Sequence, residues 1–111
     1  MAIPKPQPFL RMTVEEYLAF EETSEVKHEY HDGLVVEVLD NLGASAEHAG
    51  VTANLTAALH TALKGGPCRV YSADLKIWVH RRRRYLYPDL SIICGKPTAP
   101  PEATKHAADN P

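Results

Sequence analysis

The dipeptide Pro88-Asp89 opens the stretch LSIIC, residues 90–94, whose side chains are apolar or small on both alternating faces. That is the pattern of a strand covered on both sides. Proline gives no amide hydrogen to a neighbouring strand, and an ionised carboxylate is costly to strip of water, so neither belongs in a sheet interior. The pair therefore predicts a local break in the ladder that aims Asp89 off the sheet edge. An acid placed there can ligate a hard divalent cation, which takes oxygen donors and keeps several waters. The same residue also fits a plainer role, capping a turn or pairing with one of the nearby arginines. One carboxylate is not a metal site, since phosphodiester hydrolysis by metal needs a second acid and a group to position the water.

Three other features could serve such chemistry. His48 stands three residues after Ser45, at the third position of a helix that the serine would cap; it reads either as a catalytic or ligating imidazole or as part of the local hydrogen-bond pattern. The absence of a second histidine four residues on excludes a zinc HExxH site. Glu29 alternates with Lys27 on one strand face, where an exposed cross-strand pair is the competing reading. Arg81, Arg82, Arg83 and Arg84 gather a third of the twelve basic residues in one turn. They read as a phosphate-gripping fork or as a solvated hairpin tip that blocks edge pairing.

The elements that must hold these residues follow from pattern. Thr13-Val14-Glu15-Glu16 is a capping box, and Val14, Tyr17 and Leu18 give the helix after it one apolar stripe, leaving Glu15, Glu16, Glu21 and Glu22 to solvent. Residues 26–30 and 34–39 form a hairpin around His31-Asp32-Gly33. A second helix runs from Ser45 to the stop at Gly65-Gly66-Pro67, with Val51, Leu55, Ala58, Leu59, Ala62 and Leu63 on one broad face. Residues 68–73 and 74–80 are extended, and the latter pairs with 85–94 through the arginine turn, so that the arginines lie beyond the sheet end carrying Asp89 only if that hairpin is short. The expected organisation is an extended arm at 1–12, one domain at 13–95 and a Pro/Ala-rich tail at 96–111.

Composition sets the outer limits. At 111 residues there is room for one small core. Hydrophobic residues at 44% and charged residues at 23% exclude wholesale disorder. A net charge of -2 restricts any nucleic-acid contact to a local patch. Cys68 and Cys94 sit at strand positions as small buried hydrophobes without zinc spacing, and no apolar run marks a signal peptide or a membrane span. The expected compartment is a reducing cytoplasm.

The succession EEYLAFEE, KHEYHDGLVVEV, SAEHAGVTANLTAALHTAL and YLYPDLSIICG resembles the N-terminal part of the Uma2 family, within the PD-(D/E)XK restriction endonuclease-like superfamily, from about residue 12 to residue 96. Its most specific pieces are Glu29 with Asp32-Gly33, Ser45 with His48, and Tyr87-Pro88-Asp89. The resemblance implies an α/β (mixed α+β) fold with a three-layer core in which 48–64 is the core helix. It makes Asp89 the metal-binding aspartate, and matches His48 and Glu29 to recurring family residues, with Mg²⁺ or Mn²⁺ as cofactor and nucleic acid as substrate. The family's next segment, a valine-glutamate-valine run bearing the second metal-binding acid and followed by further charged residues, has no counterpart before Pro111. The resemblance therefore implies a core truncated before its last strand and helix, little or no activity from this chain, and a metal site that this chain alone need not fill. The alternative reading is a noncatalytic module that binds nucleic acid or protein and self-associates, as a homodimer, through the sheet edge at 90–94.

Overall fold

Thr13 starts the first helix as its sequence requires: its hydroxyl accepts from the Glu16 amide while the Glu16 carboxylate accepts from the Thr13 amide. The computed structural model describes residues 10–38, 45–98 and 107–109. In chain order these form β1 (Leu10–Arg11), α1 (Val14–Thr23), β2 (His28–His31), β3 (Leu34–Glu37), α2 (Ala46–Leu63), β4 (Cys68–Ser72), β5 (Lys76–Val79), β6 (Arg84–Leu86), β7 (Leu90–Cys94) and β8 (Ala107–Asp109), with a 3₁₀ turn at His80–Arg82 between β5 and β6. The fold is mixed α+β, as expected.

The strands make two sheets. One has the order β1-β3-β2-β6-β5-β8, antiparallel except that β8 runs parallel to β5. The other is a two-stranded ribbon of β4 and β7. The β2–β3 hairpin turns on Asp32 and Gly33, at φ 46° and 101°, the mirror-image geometry that matches the twist of paired strands. The β5–β6 pair closes through the arginine turn, where Arg83 takes a left-handed φ of 51°.

Side chains alternate across β5, and so does the core. Trp78 faces α1 and packs with Val14, Tyr17, Leu18, Tyr30, Val35 and Tyr85. Ile77 faces the other way and packs with Ile93 of β7 and Ala108 of β8. Tyr17 lies between the rings of Tyr30 and Tyr85, at centroid distances of 5.1 and 5.6 Å, and Tyr85 meets Trp78 at 4.6 Å. These aromatic contacts add to the stabilisation from burial alone.

Several expectations change. Strand 85–94 is not one strand: β6 pairs with β5, and after Tyr87-Pro88-Asp89 the chain leaves that sheet and β7 pairs with β4. Pro88 cannot continue a ladder, which is why the change of sheet occurs there. The six-stranded sheet covers only one face of β7, so Ile93, against Ile77 and Ala108, is buried while Ile92 remains 43% exposed. The broad apolar face expected on α2 is largely uncovered. None of its side chains is buried, Val51 is 64% exposed, and β4 alone gives it extensive contact, too narrow a support for a helix face. Within the stretch expected as a tail, Ala107–Asp109 forms β8, because the exposed edge of β5 offers a row of free backbone groups. Leu10–Arg11, in the expected arm, likewise adds to β3. Residues 1–9 lie outside the described residues.

Cys68 and Cys94 are not separate buried thiols. They are register partners across the β4–β7 ribbon and form a disulfide. A cross-link spanning 26 residues stabilises by about 3 kcal/mol, chiefly by restricting the unfolded chain. Replacing both cysteines by serine is expected to lower the urea-unfolding free energy by that amount; an unchanged midpoint would show that the link contributes nothing.

Candidate functional site

The break at Pro88 brings two of the sequence-derived residues together. Ser45 caps α2 by accepting from the His48 amide at 3.0 Å, which fixes the first turn and points the His48 ring toward the crossover. There His48 Nε2 lies 3.3 Å from Asp89 Oδ2. Both side chains are more than half exposed, so the pair is open to a ligand from solvent. The contact is an ion-pair approach rather than an aligned hydrogen bond, so it brings an imidazole and a carboxylate together and leaves both ring nitrogens able to exchange protons with a ligand.

Glu29 stands behind this pair rather than in it. One carboxylate oxygen accepts from the Tyr87 amide at 3.3 Å and the other meets His31 Nε2 at 3.1 Å. The competing cross-strand pair does not form, since Val36 lies across from Glu29, and Lys27 bonds to Asp74 at 3.0 Å and to the Ala73 carbonyl. Glu29 thus holds the backbone two residues before Asp89, in the segment that no strand pairing supports.

Tyr87 is anchored a second time. Its hydroxyl donates to Glu21 Oε2 at 2.7 Å, and the Glu21 carboxylate also accepts from the His28 amide at 2.7 Å and meets His28 Nδ1 at 2.9 Å. Glu21 is 8% exposed, contrary to the expectation that it is solvated. The signal lay in the spacing, because 21 continues the stripe 14, 17, 18 by one helical step. Three hydrogen bonds compensate for burying its charge. Lys76, also buried, is lowered from its usual ammonium range by desolvation, against which Glu21 and Glu22 act.

The arginine turn and Asp89 flank β6. Arg84 opens β6 and Asp89 follows its far end, five residues on and ~16 Å along an extended chain. β6 is only three residues long, with the arginine turn before its start and Pro88-Asp89 after its end. Arg83 is tied to the β2–β3 turn, with Nε 3.5 Å from Asp32 Oδ1, and its guanidinium lies over the Trp78 ring, 5.9 Å from its centroid. Arg81 and Arg82 are exposed, while Arg84 is half-buried.

The donors present do not complete a cation site. Among the described residues no group of three or more histidine, cysteine, aspartate or glutamate side chains could hold a metal ion. Asp89 offers one carboxylate, His48 is a poor partner for a hard cation, and both Glu29 oxygens are engaged.

The Uma2 family, whose description reads "Putative restriction endonuclease", matches residues 14–111. The chain belongs to the Uma2 family. Two curated relatives come from Synechocystis sp.: the uncharacterized protein slr1290 is 36% identical over 87 residues, covering 78% of this chain and 44% of its own length, and the uncharacterized protein sll1609 is 31% identical over 86 residues, covering 78% and 47%. The chain thus spans less than half the length of these Uma2 relatives. No solved structure matches it.

Burial raises the hydroxyls of Tyr17 and Tyr87 above their ordinary value of 10.0; Glu21 adds to the effect at both, while Tyr87 raises Tyr17 further and Tyr17 acts against the rise at Tyr87. Their contribution to stability is full below pH ~10, where the unfolded tyrosines are still protonated, and is lost as pH rises above it at ~1.4 kcal/mol per pH unit for each. In a spectrophotometric titration, at least two of the five tyrosines should ionise only together with cooperative unfolding. Smooth titration of all five before any loss of structure would contradict this tyrosine network.

Proposed function

We propose that this Uma2 chain carries half of a phosphodiesterase centre acting on nucleic acid, with Asp89 as its essential acid. The observation that supports this most is the exposed His48–Asp89 contact at 3.3 Å, set at a break between two sheets rather than within one. In this reading His48 orients Asp89 and holds or releases a proton at its imidazole, and Glu29 is a positioning residue that acts through the Tyr87 amide. The family description supports the substrate class. A divalent cation, Mg²⁺ or Mn²⁺, belongs to the same proposal only through donors beyond those described, so no step is assigned to it. Arg81 and Arg82 are proposed as exposed phosphate contacts, with Arg83 and Arg84 serving mainly the turn. Among the described residues no helix is long and apolar enough to cross a membrane. We place the activity in the cytoplasm, where the thiol pool decides how much of the Cys68–Cys94 pair stays closed.

Because the described residues lack a second acid, nicking of supercoiled plasmid by this chain with Mg²⁺ or Mn²⁺ should be weak. Asp89→Ala should abolish what there is, and His48→Ala should reduce it at least tenfold. Metal-dependent nicking that persists in Asp89→Ala would overturn the assignment.

A second reading is favoured by the ribbon itself. Among the described residues β7 pairs with β4 alone, leaving its other edge free beside the 43% exposed Ile92, and a two-stranded ribbon is marginal on its own. Pairing of β7 with a second copy would extend the ribbon, giving a homodimer without catalysis. Light scattering coupled to size exclusion should then show a dimer whose share rises with concentration and falls in an Ile92→Lys variant. A monomer at every concentration would end this reading.

A further inference from the structure

The far end of α2 carries a second charged feature that the His48–Asp89 centre does not use. A cleft of about 510 Å³ opens where α2 ends and the β4–β7 ribbon begins. Its lining includes four cationic or protonatable side chains, His60, Lys64, Arg69 and Lys96, and no acidic residue. All four are exposed, and among the described residues none of them is ion-paired with a carboxylate.

Favourable charge at a helix C-terminus accounts for His60 and Lys64, which lie in and just beyond the last turn of α2. It does not account for Arg69 on β4 or Lys96 beyond β7, which come from different parts of the chain to the same cleft. The backbone there has little to offer an anion, since the Gly66 amide donates to the Leu63 carbonyl at 3.1 Å and the Gly95 amide to the Pro67 carbonyl at 2.7 Å. Binding must therefore come from the side chains. Arg69 is partly placed for it, its guanidinium lying 5.8 Å from the centroid of the Tyr71 ring. Gathering exposed cations in a chain of net charge -2 gives this cleft a local positive potential that favours an anion.

We propose that this cleft binds the phosphate backbone of nucleic acid. The proposal deepens the phosphodiesterase reading and rests on it for the substrate class. Along α2, His48 and Lys64 are 16 residues apart, or ~24 Å of helix. At ~3.4 Å per step of one duplex strand that distance corresponds to about seven base pairs. The cleft then grips the backbone at a distance from Asp89 and sets which phosphate reaches it.

The test is fluorescence anisotropy with the full chain and a labelled duplex of about twenty base pairs, in EDTA so that no cleavage intervenes, over a series of salt concentrations. The triple variant Lys64→Glu/Arg69→Glu/Lys96→Glu should weaken binding at least tenfold at low salt. The corresponding glutamine variant should weaken it less, and reduce the dependence of log affinity on log salt by about 2 to 3, roughly one unit for each phosphate that is no longer neutralised. Both variants alter exposed side chains, and circular dichroism checks that they fold. Unchanged affinity in the glutamate variant, or no binding by the parent chain, would overturn the cleft as a backbone site. So would competition by a mononucleotide at micromolar concentration, which would mark a small-molecule site instead. The phosphodiesterase reading is judged separately by the nicking of Asp89→Ala.

Discussion

A single buried carboxylate, that of Glu21, joins the parts of this molecule that matter most. Through it the first helix holds the start of β2 by an amide and an imidazole, and holds the crossover between the two sheets by the Tyr87 hydroxyl. An uncompensated charge in that position would be strongly unfavourable, so its partners must be present for the chain to fold in this way. The dependence runs in both directions. Tyr87 is fixed at its hydroxyl by Glu21 and at its amide by Glu29, and those two anchors replace the ladder that Pro88 interrupts.

The interruption is what exposes Asp89. A strand that stayed in the six-stranded sheet would have carried the residues after Tyr87 along β5. The change of partner from β5 to β4 instead turns the chain toward His48. The capped first turn of α2 meets it there. The chemistry of the site, an open imidazole–carboxylate contact, is thus a product of backbone topology as much as of residue type.

Much of this was legible in the sequence. The capping box, the Asp32-Gly33 turn, the Ser45 cap and the Pro88 break are local signals that depend on a few neighbouring atoms, and each appears in the structure where its residues require. Pairings between distant segments were less legible. Nothing near residue 90 says that β7 will join β4, and nothing near residue 107 says that a three-residue segment will align parallel to β5. The burial of Glu21 was written in its helical spacing but masked by its charge, since the tyrosine that satisfies it lies 66 positions away. The cysteine pair was hidden for the same reason, as an antiparallel register across 26 residues is not a property of either neighbourhood.

The two core clusters are divided by β5, and the only tryptophan, Trp78, belongs to one of them. Its emission reports on the aromatic layer beneath α1, while the cluster of Ile77, Ile93 and Ala108 under the ribbon contains no indole. The protein therefore has an optical blind side. Loosening of the ribbon, with α2 and the basic cleft, could proceed without a change in tryptophan colour, and would be followed instead through amide exchange along β4 and β7.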